Sequence, residues 1–136
     1  VDAACMKFVQ CPWRFDVVVA MDSNGDILTD LAAVLSGGMG IAPSININPA
    51  AREYPALFEP THGSAPDIAG QGKADPRAML LTAAEMLDWL GTEEATFTRA
   101  AVALREAVAT DLSRQAPDTA RDTDTIAAAI IEFIAP

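Results

Sequence analysis

The pattern of the chain changes at Pro76, and this change limits the fold more than any other feature. After it, PRAMLLTAAEMLDWLG is typical of one amphipathic helix, with proline in its first turn and Gly91 just past its end. A second helix is predicted from an N-cap at Thr92 to about Arg114, and a short third one in TIAAAIIEFI. Before Pro76, short β-branched runs alternate with turns rich in glycine and proline. The sequence therefore predicts an α/β fold, with strands in the first half and helices in the second.

Within the first half, the β-branched run FDVVVA at residues 15–20 predicts a buried strand. A helix is predicted on each side of it, one in VDAACMKFV that Pro12 closes and one that begins near Gly25. The segments SINI and ALFE, which glycine- and proline-rich turns separate from their surroundings, predict a pair of strands.

Composition narrows the class of partner. A chain of 136 residues would normally be one domain, and because half of its residues are apolar it is expected to be globular. Its net charge of -10 argues against nucleic acid, which requires clustered Lys and Arg, and favours metal cations and small ligands. Cys5 and Cys11 fit neither a redox pair nor a zinc spacing, so reduced thiols in a cytoplasmic protein are predicted. The longest apolar stretch is about half a membrane span and contains Glu132, so no membrane segment is predicted.

The segment GDILTD places two carboxylates four residues apart at the predicted beginning of a helix. On a helix, Asp26 and Asp30 would lie side by side on one face. One interpretation is a solvated helix end, in which Asp26 complements the helix dipole. The other is a site for a hard divalent cation, Mg²⁺ or Mn²⁺, which prefers oxygen ligands.

A second candidate site is the segment EPTHGSAPDIAGQGKADP, residues 59–76. The small residues after His62 would let a phosphate or ribose approach the backbone closely. Asp67 is the kind of carboxylate that accepts ribose hydroxyls and repels a 2′-phosphate. The alternative is an ordinary surface loop with the histidine packed under it. The glycine fingerprint of a Rossmann site is not present.

The chain resembles the β-decarboxylating dehydrogenases, which act on isopropylmalate, isocitrate, tartrate or D-malate. The resemblance lies in two segments, FDVVVAMDSNGDILTDLAAVLSGGMGIAPS and, after it, LFEPTHGSAPDIAG. The insertion NINPAAREYPALFEPTHGSAPDI is most similar to the tartrate and D-malate branch. The resemblance implies the C-terminal portion of the isocitrate/isopropylmalate dehydrogenase-like fold, which is not a Rossmann fold. Residues 1–44 would be part of the smaller dimer-forming, metal-binding domain and residues 45–136 part of the cofactor-binding domain. The chain, which starts without Met, is expected to be a fragment that forms a homodimer or pairs with a missing N-terminal half.

The resemblance also implies a reaction, the NAD-dependent, Mg²⁺- or Mn²⁺-dependent oxidative decarboxylation of a 2-hydroxy acid. It resolves the question about GDILTD in favour of metal. Asp26 and Asp30 match two metal ligands of the family, and Asp2 matches a third that the family's dimer lends to the neighbouring subunit. The residues that match the family's NAD site are Glu59, His62, Gly63, Ser64, Ala65, Pro66, Asp67, Ile68 and Asp75.

Two departures from the family pattern concern charge. Asp22 and Ser23 replace an Asn-Leu pair, and Asp75 replaces an asparagine that touches adenine. The arginines that clamp substrate, and the tyrosine and lysine that move protons, match no residue of this chain. No catalytic residue is therefore assigned, and the chain alone is predicted to be inactive. The alternative function is a non-catalytic nucleotide-binding or dimerisation module that kept the fold.

Overall fold

The computed structural model describes residues 1–92, 94–116 and 119–134. The chain divides into two compact units, Val1–Met39 and Gly40–Pro136. Both contain helices, and the second also contains a sheet, in agreement with the predicted α/β class. None of the helices in the described ranges is long and apolar enough to cross a lipid bilayer.

The first unit is built on two helices, α1 (Asp2–Gln10) and α2 (Asp22–Leu35). Both were predicted, and α1 ends before Pro12 as expected. Phe8 of α1 is buried and meets Phe15 edge to face, with ring centroids 4.6 Å apart. Leu28 and Ala33 of α2 are the other buried apolar residues of this unit. Its core is therefore small and lies between the two helices.

The predicted strand at residues 15–20 is wrong. These residues form no strand, and Val17 and Val19 are 84% and 94% exposed. The β-branched side chains favour an extended backbone, but a strand also needs a neighbouring backbone for its hydrogen bonds. Within the described part of the chain, the only strand pair lies elsewhere.

The predicted start of α2 is also wrong, because the helix begins at Asp22 and not near Gly25. The Gly25 N–H already donates to the Met21 carbonyl at 2.7 Å, so the first helical turn closes before the GDILTD segment. Asp22 consequently occupies the first turn, and Asp26 belongs to the second.

The second unit begins with the predicted strand pair. Strands β1 (Pro43–Asn46) and β2 (Leu57–Pro60) are antiparallel, with Ser44 opposite Glu59. Helix α3 (Arg77–Leu90) packs against both strands. The buried hydroxyl of Thr82 fixes this contact, because it lies 2.8 Å from the Ala78 carbonyl of its own helix and 3.2 Å from the Glu59 carbonyl of β2.

Two more helices complete this unit, α4 (Ala95–Arg114) and α5 (Thr123–Ile134). Both were predicted, although Thr92 does not cap α4. Its hydroxyl donates to the Trp89 carbonyl at 3.3 Å, and Glu94 takes the N-cap position. The core of the unit consists of Ala107, Val108, Ile126 and Ile130, with Leu80, Leu81, Leu104, Leu112 and Phe133 packed around them.

Candidate functional site

The two candidate metal ligands on α2 lie one helical turn apart, and both are exposed. Neither the Asp26 nor the Asp30 carboxylate has a hydrogen-bond or ion-pair partner among the described residues. Since Asp22 occupies the first turn, it is the residue placed to complement the helix dipole. Two free carboxylates on adjacent turns are suitable oxygen ligands for a hard cation.

Asp2, the third candidate ligand, is the first residue of α1 and is exposed. Its Oδ1 accepts a hydrogen bond from the Ala3 N–H at 2.7 Å. No group of three metal-ligating side chains forms within the part of the chain that the structure describes. Asp26 and Asp30 therefore supply two ligands at most, and the donation of Asp2 to a neighbouring subunit stays a prediction.

The candidate cofactor loop follows β2, which carries Glu59 as an exposed residue. Thr61 fixes the start of the loop, because its N–H and its hydroxyl both donate to the Ala42 carbonyl, at 3.1 and 3.0 Å. His62 is half-buried, and its Nδ1 donates to the Gly63 carbonyl at 2.9 Å. The ring thus hydrogen-bonds within the loop and is not buried beneath it.

The middle of the loop is a tight turn. Ala65 has φ +41°, the only positive φ of a non-glycine residue in the described ranges, and Pro66–Ile68 form one turn of 3₁₀ helix. The Ile68 N–H donates to the Ala65 carbonyl at 3.1 Å, and Gln71 Nε2 donates to the Asp67 carbonyl at 2.7 Å. Residues other than glycine rarely adopt this left-handed backbone conformation. Its presence at Ala65 indicates that the surrounding structure holds the backbone in place.

This turn presents Asp67 to solvent. Its backbone is hydrogen-bonded, but its carboxylate has no partner among the described residues. Gly63 and Ser64 are also exposed, and a Cβ added to Gly63 would meet no atom within 4 Å. The loop therefore offers small residues that a phosphate or ribose could approach closely, and a carboxylate that could accept ribose hydroxyls.

Asp75, the remaining candidate, is not free. Its Oδ1 accepts the Arg77 backbone N–H at 3.0 Å, and its Oδ2 accepts Arg77 Nη1 at 2.8 Å. The charge that distinguishes it from asparagine is therefore neutralised by Arg77. A Cβ added to Gly40 would lie 2.7 Å from the Asp75 Cβ, so the approach of these two backbones requires glycine at position 40.

Arg77 belongs to a buried ionic cluster that the sequence interpretation missed. Its Nε and Nη2 both donate to Asp111 Oδ2, at 2.9 and 2.6 Å. Arg121 donates to Oδ1 and Oδ2 of the same carboxylate at 2.7 Å each. These hydrogen bonds, first from Arg121 and then from Arg77, hold the pKa of Asp111 below its usual value despite the opposing effect of burial.

A sequence signal for this cluster exists. Asp111 lies four residues after Ala107 and three after Val108, both buried, and so falls on the apolar stripe of α4. A charged residue on such a stripe requires a buried partner of opposite sign.

Comparison with known proteins identifies the family. The family model for isocitrate/isopropylmalate dehydrogenase matches residues 1–131. The chain belongs to this family. The 3-isopropylmalate dehydrogenase of Streptomyces avermitilis is 51% identical over 135 residues, which are 99% of this chain and 37% of that protein. That of Beutenbergia cavernae is 60% identical over 103 residues, which are 75% of this chain and 29% of that protein.

A solved structure gives the same result for the fold. The crystal structure of isocitrate dehydrogenase from Methylococcus capsulatus matches with a TM-score of 0.78 and 42% identity, and covers 98% of this chain and 39% of that one. The predicted family and fold are therefore confirmed. This member of the isocitrate/isopropylmalate dehydrogenase family spans about 37% of the length of the Streptomyces avermitilis relative. The greater similarity to the tartrate and D-malate branch, the domain boundary at residue 44 and the roles of the site residues stay predictions.

Proposed function

We propose that this chain supplies two parts of the active site of an NAD-dependent, Mg²⁺- or Mn²⁺-dependent dehydrogenase that oxidises and decarboxylates a 2-hydroxy acid. The names of the relatives favour a substrate of the 3-isopropylmalate type, with tartrate and D-malate as the other members of the class. The observation that carries the proposal is the exposed Asp67 carboxylate, which has no partner among the described residues and lies on a hydrogen-bonded turn that follows Gly63 and Ser64.

In this proposal, the loop binds the adenosine side of NAD. The Asp67 carboxylate accepts hydrogen bonds from two ribose hydroxyls, and the small residues let the backbone approach the ligand. A 2′-phosphate would meet the same carboxylate with like charge, which disfavours NADP. Asp75 contributes shape and not free charge, because Arg77 already binds it.

Asp26 and Asp30 would hold the divalent cation, with further ligands from substrate, water and the neighbouring subunit's copy of Asp2. A cation bound there supplies Lewis-acid polarisation of the hydroxy acid. The role of the two aspartates is to bind the cation with their negative charge and so to orient the hydroxy acid. Their lack of other partners in the described ranges supports this assignment.

The proposal includes a protein partner for the first unit. Trp13 is 77% exposed, and Val17 and Val19 are more exposed still. Exposed apolar groups in such number on a small unit are typical of an interface. We propose that a second copy of the chain or the remaining part of the protein covers them. The two free cysteines fit the proposed cytoplasmic location.

The test is calorimetric titration of NAD⁺ and NADP⁺ into the chain and its Asp67→Ala variant. We expect NAD⁺ to bind at least about tenfold more tightly than NADP⁺, and Asp67→Ala to remove most of that difference, because the repulsion comes from the carboxylate. The matched control is Asp124→Ala, which removes an exposed aspartate of α5 and should leave both affinities unchanged. Tighter binding of NADP⁺ by the unmodified chain would contradict the proposal.

A further inference from the structure

We propose that Arg121 and Thr123 are positioning residues for the cofactor loop. Together with Asp122 they form the anchor segment, Arg121 to Thr123, at the beginning of α5. The inference rests on the proposed function in so far as the loop binds a nucleotide. It extends that function to residues about 50 positions away in sequence, which the family resemblance did not assign.

The first connection is made by Thr123 alone. Its backbone N–H donates to the Gly72 carbonyl at 2.8 Å, and its hydroxyl donates to the Ala74 carbonyl at 2.5 Å. One residue thus binds two carbonyls on either side of Lys73. Hydrogen bonds to alternate carbonyls fix both the position and the direction of a loop backbone.

The anchor segment is itself held by the core. Asp122 Oδ1 accepts the Thr125 N–H at 2.7 Å, which caps α5. Hydrogen bonding to the Thr125 side chain, and then to its backbone N–H, lowers the pKa of Asp122. Ile126 and Ile130 of the same helix belong to the buried core. Gly72, with φ +64°, lies against the anchor, since a Cβ added to it would be 3.7 Å from the Asp122 Cβ. The loop is therefore joined to a helix that is packed into the core.

The second connection runs through charge. Arg121 binds both oxygens of Asp111, Asp111 binds Arg77, and Arg77 binds Asp75 at the end of the loop. The Arg77 and Asp111 side chains are 3% and 2% exposed. Bidentate pairs of this kind are geometrically specific as well as strong.

The two connections reach the loop at Gly72 to Ala74 and at Asp75. Gln71, immediately before them, donates to the Asp67 carbonyl. The Gln71 N–H also donates to the Ile68 carbonyl at 3.1 Å, so the residue next to the anchored segment is hydrogen-bonded to the turn that presents the Asp67 carboxylate. We infer that the anchor segment sets the position of that carboxylate.

Lys73 makes the inference testable, because it is exposed and lies between the two anchored carbonyls. Trypsin cleaves after Lys73 only when the loop opens locally, so its rate reports the strength of the anchor. Arg99, exposed on α4 of the same unit, reports opening of the unit outside the loop. The quantity to measure by mass spectrometry is the ratio of initial cleavage rates at Lys73 and Arg99.

The first pair of variants concerns the hydroxyl. Thr123→Val should raise the ratio about fivefold, the effect of one lost hydrogen bond on a local opening equilibrium. Thr123→Ser keeps the hydroxyl and should retain the original ratio. The matched control is Thr110→Val, which removes a hydroxyl whose one partner in the described part of the chain is the Glu106 carbonyl of the same helix.

The second pair concerns the charge. Arg121→Lys cannot bind both oxygens of Asp111 and should raise the ratio about tenfold. The control is Arg105→Lys, which perturbs an arginine that bridges Glu85 and Asp88 of α3, at 3.1 and 2.9 Å, and binds no residue of the loop in the described ranges.

An unchanged ratio in both Thr123→Val and Arg121→Lys would overturn the inference. Equal acceleration at Lys73 and Arg99 would also overturn it, because the effect would then belong to the whole unit. In the presence of NAD⁺ we expect slower cleavage at Lys73 and weaker nucleotide binding by Thr123→Val. If the unmodified chain does not bind NAD⁺, the proposed function fails, while the ratio still decides whether the anchor segment holds the loop.

Discussion

Arg77, the first residue of α3, donates two hydrogen bonds to one carboxylate oxygen of Asp111 on the buried face of α4. Arg121 binds the same carboxylate, and Asp75 binds Arg77. The four side chains, two acidic and two basic, form a neutral cluster. Neutrality and the hydrogen bonds between these side chains allow the charges to be buried at a tolerable cost, although the buried Arg121 Nε has no hydrogen-bond partner among the described residues.

Removal of the Asp111 carboxylate should therefore greatly reduce the stability of the folded chain. Asp111→Ala leaves Arg77 buried without its main partner, and we expect the free energy of unfolding to fall by about 3–5 kcal/mol. Urea denaturation followed by circular dichroism measures the change. Glu106→Ala, an exposed acid on the same helix, should change stability by less than about 0.5 kcal/mol. Equal effects of the two substitutions would show that the cluster contributes little.

The same carboxylate should give the chain a specific acid sensitivity. The pKa of Asp111 is lowered in the folded state, so the unfolded chain, with a carboxyl pKa of about 3.9, binds more protons between the two values. The stabilisation is therefore complete above about pH 4 and is lost as the pH falls through the folded pKa. We expect the advantage of the unmodified chain over Asp111→Asn to be constant near neutrality and to shrink below about pH 4. Thermal unfolding of both chains across this range is the measurement, and a constant advantage down to the lowest pH would contradict it.

Gly40 and Gly63 should respond differently to the same substitution. In Gly40→Ala the new Cβ would meet the Asp75 Cβ at 2.7 Å, and we expect a loss of about 1–3 kcal/mol as the end of the loop is displaced. In Gly63→Ala the Cβ enters open space, so stability should change by less than about 1 kcal/mol. The affinity for NAD⁺ should nevertheless fall in Gly63→Ala, because the methyl group occupies the approach to the backbone. Calorimetry separates the two effects, and unchanged affinity in Gly63→Ala would place the nucleotide elsewhere.

The elements that the sequence predicted correctly are those that depend on local information. Helix α3 follows from its apolar period, a proline at its start and Gly91 at its end. The strand pair follows from two short apolar runs separated by a loop. The strand predicted at residues 15–20 was wrong because a strand depends on a partner backbone, which the local sequence does not reveal. The predicted start of α2 was wrong because the helix begins at Asp22 and continues through Gly25.

In the candidate site, too, local features could be predicted from the sequence and tertiary contacts could not. Asp67 is exposed and the space beside Gly63 is open, as expected of a nucleotide-binding loop and of an ordinary surface loop alike. The pairing of Asp75 with Arg77, and of Arg77 with Asp111, could not be obtained in this way, because the second contact joins residues 34 positions apart. Which carboxylates are free and which are neutralised is a tertiary property, and it decides which of them can bind a ligand.

Manganese binding should be detectable but weak. Asp26 and Asp30 provide two oxygen ligands, and water must fill the rest of the coordination shell. Electron paramagnetic resonance of free Mn²⁺ measures binding, and Asp30→Asn should abolish the site. Asp16→Asn removes an exposed acid of the same unit and should have no effect. Unchanged binding in Asp30→Asn would point to another site.

The final prediction concerns activity, and we expect no detectable oxidation of any hydroxy acid by this chain alone. Hydride transfer requires a base at the C2 hydroxyl and a substrate held against the nicotinamide, and the family resemblance assigns neither function to a residue of this chain. The chain also spans only 37% of the Streptomyces avermitilis relative. Loss of acid–base help costs about 10²- to 10⁴-fold, and loss of orientation removes up to about 7–11 kcal/mol of barrier lowering.

The assay is NADH formation from isopropylmalate, tartrate and D-malate with Mn²⁺ and K⁺, at protein concentrations high enough for dimers to form. The control is Asp26→Asn, which should be as inactive as the unmodified chain. Turnover that disappears in Asp26→Asn would refute the prediction, because contaminating enzyme would not depend on this residue. It would also mean that a residue of this chain moves the proton. His62, Tyr54 and Lys73 would then be the first to substitute, since Tyr54 and Lys73 are exposed and His62 is half-buried in the cofactor loop.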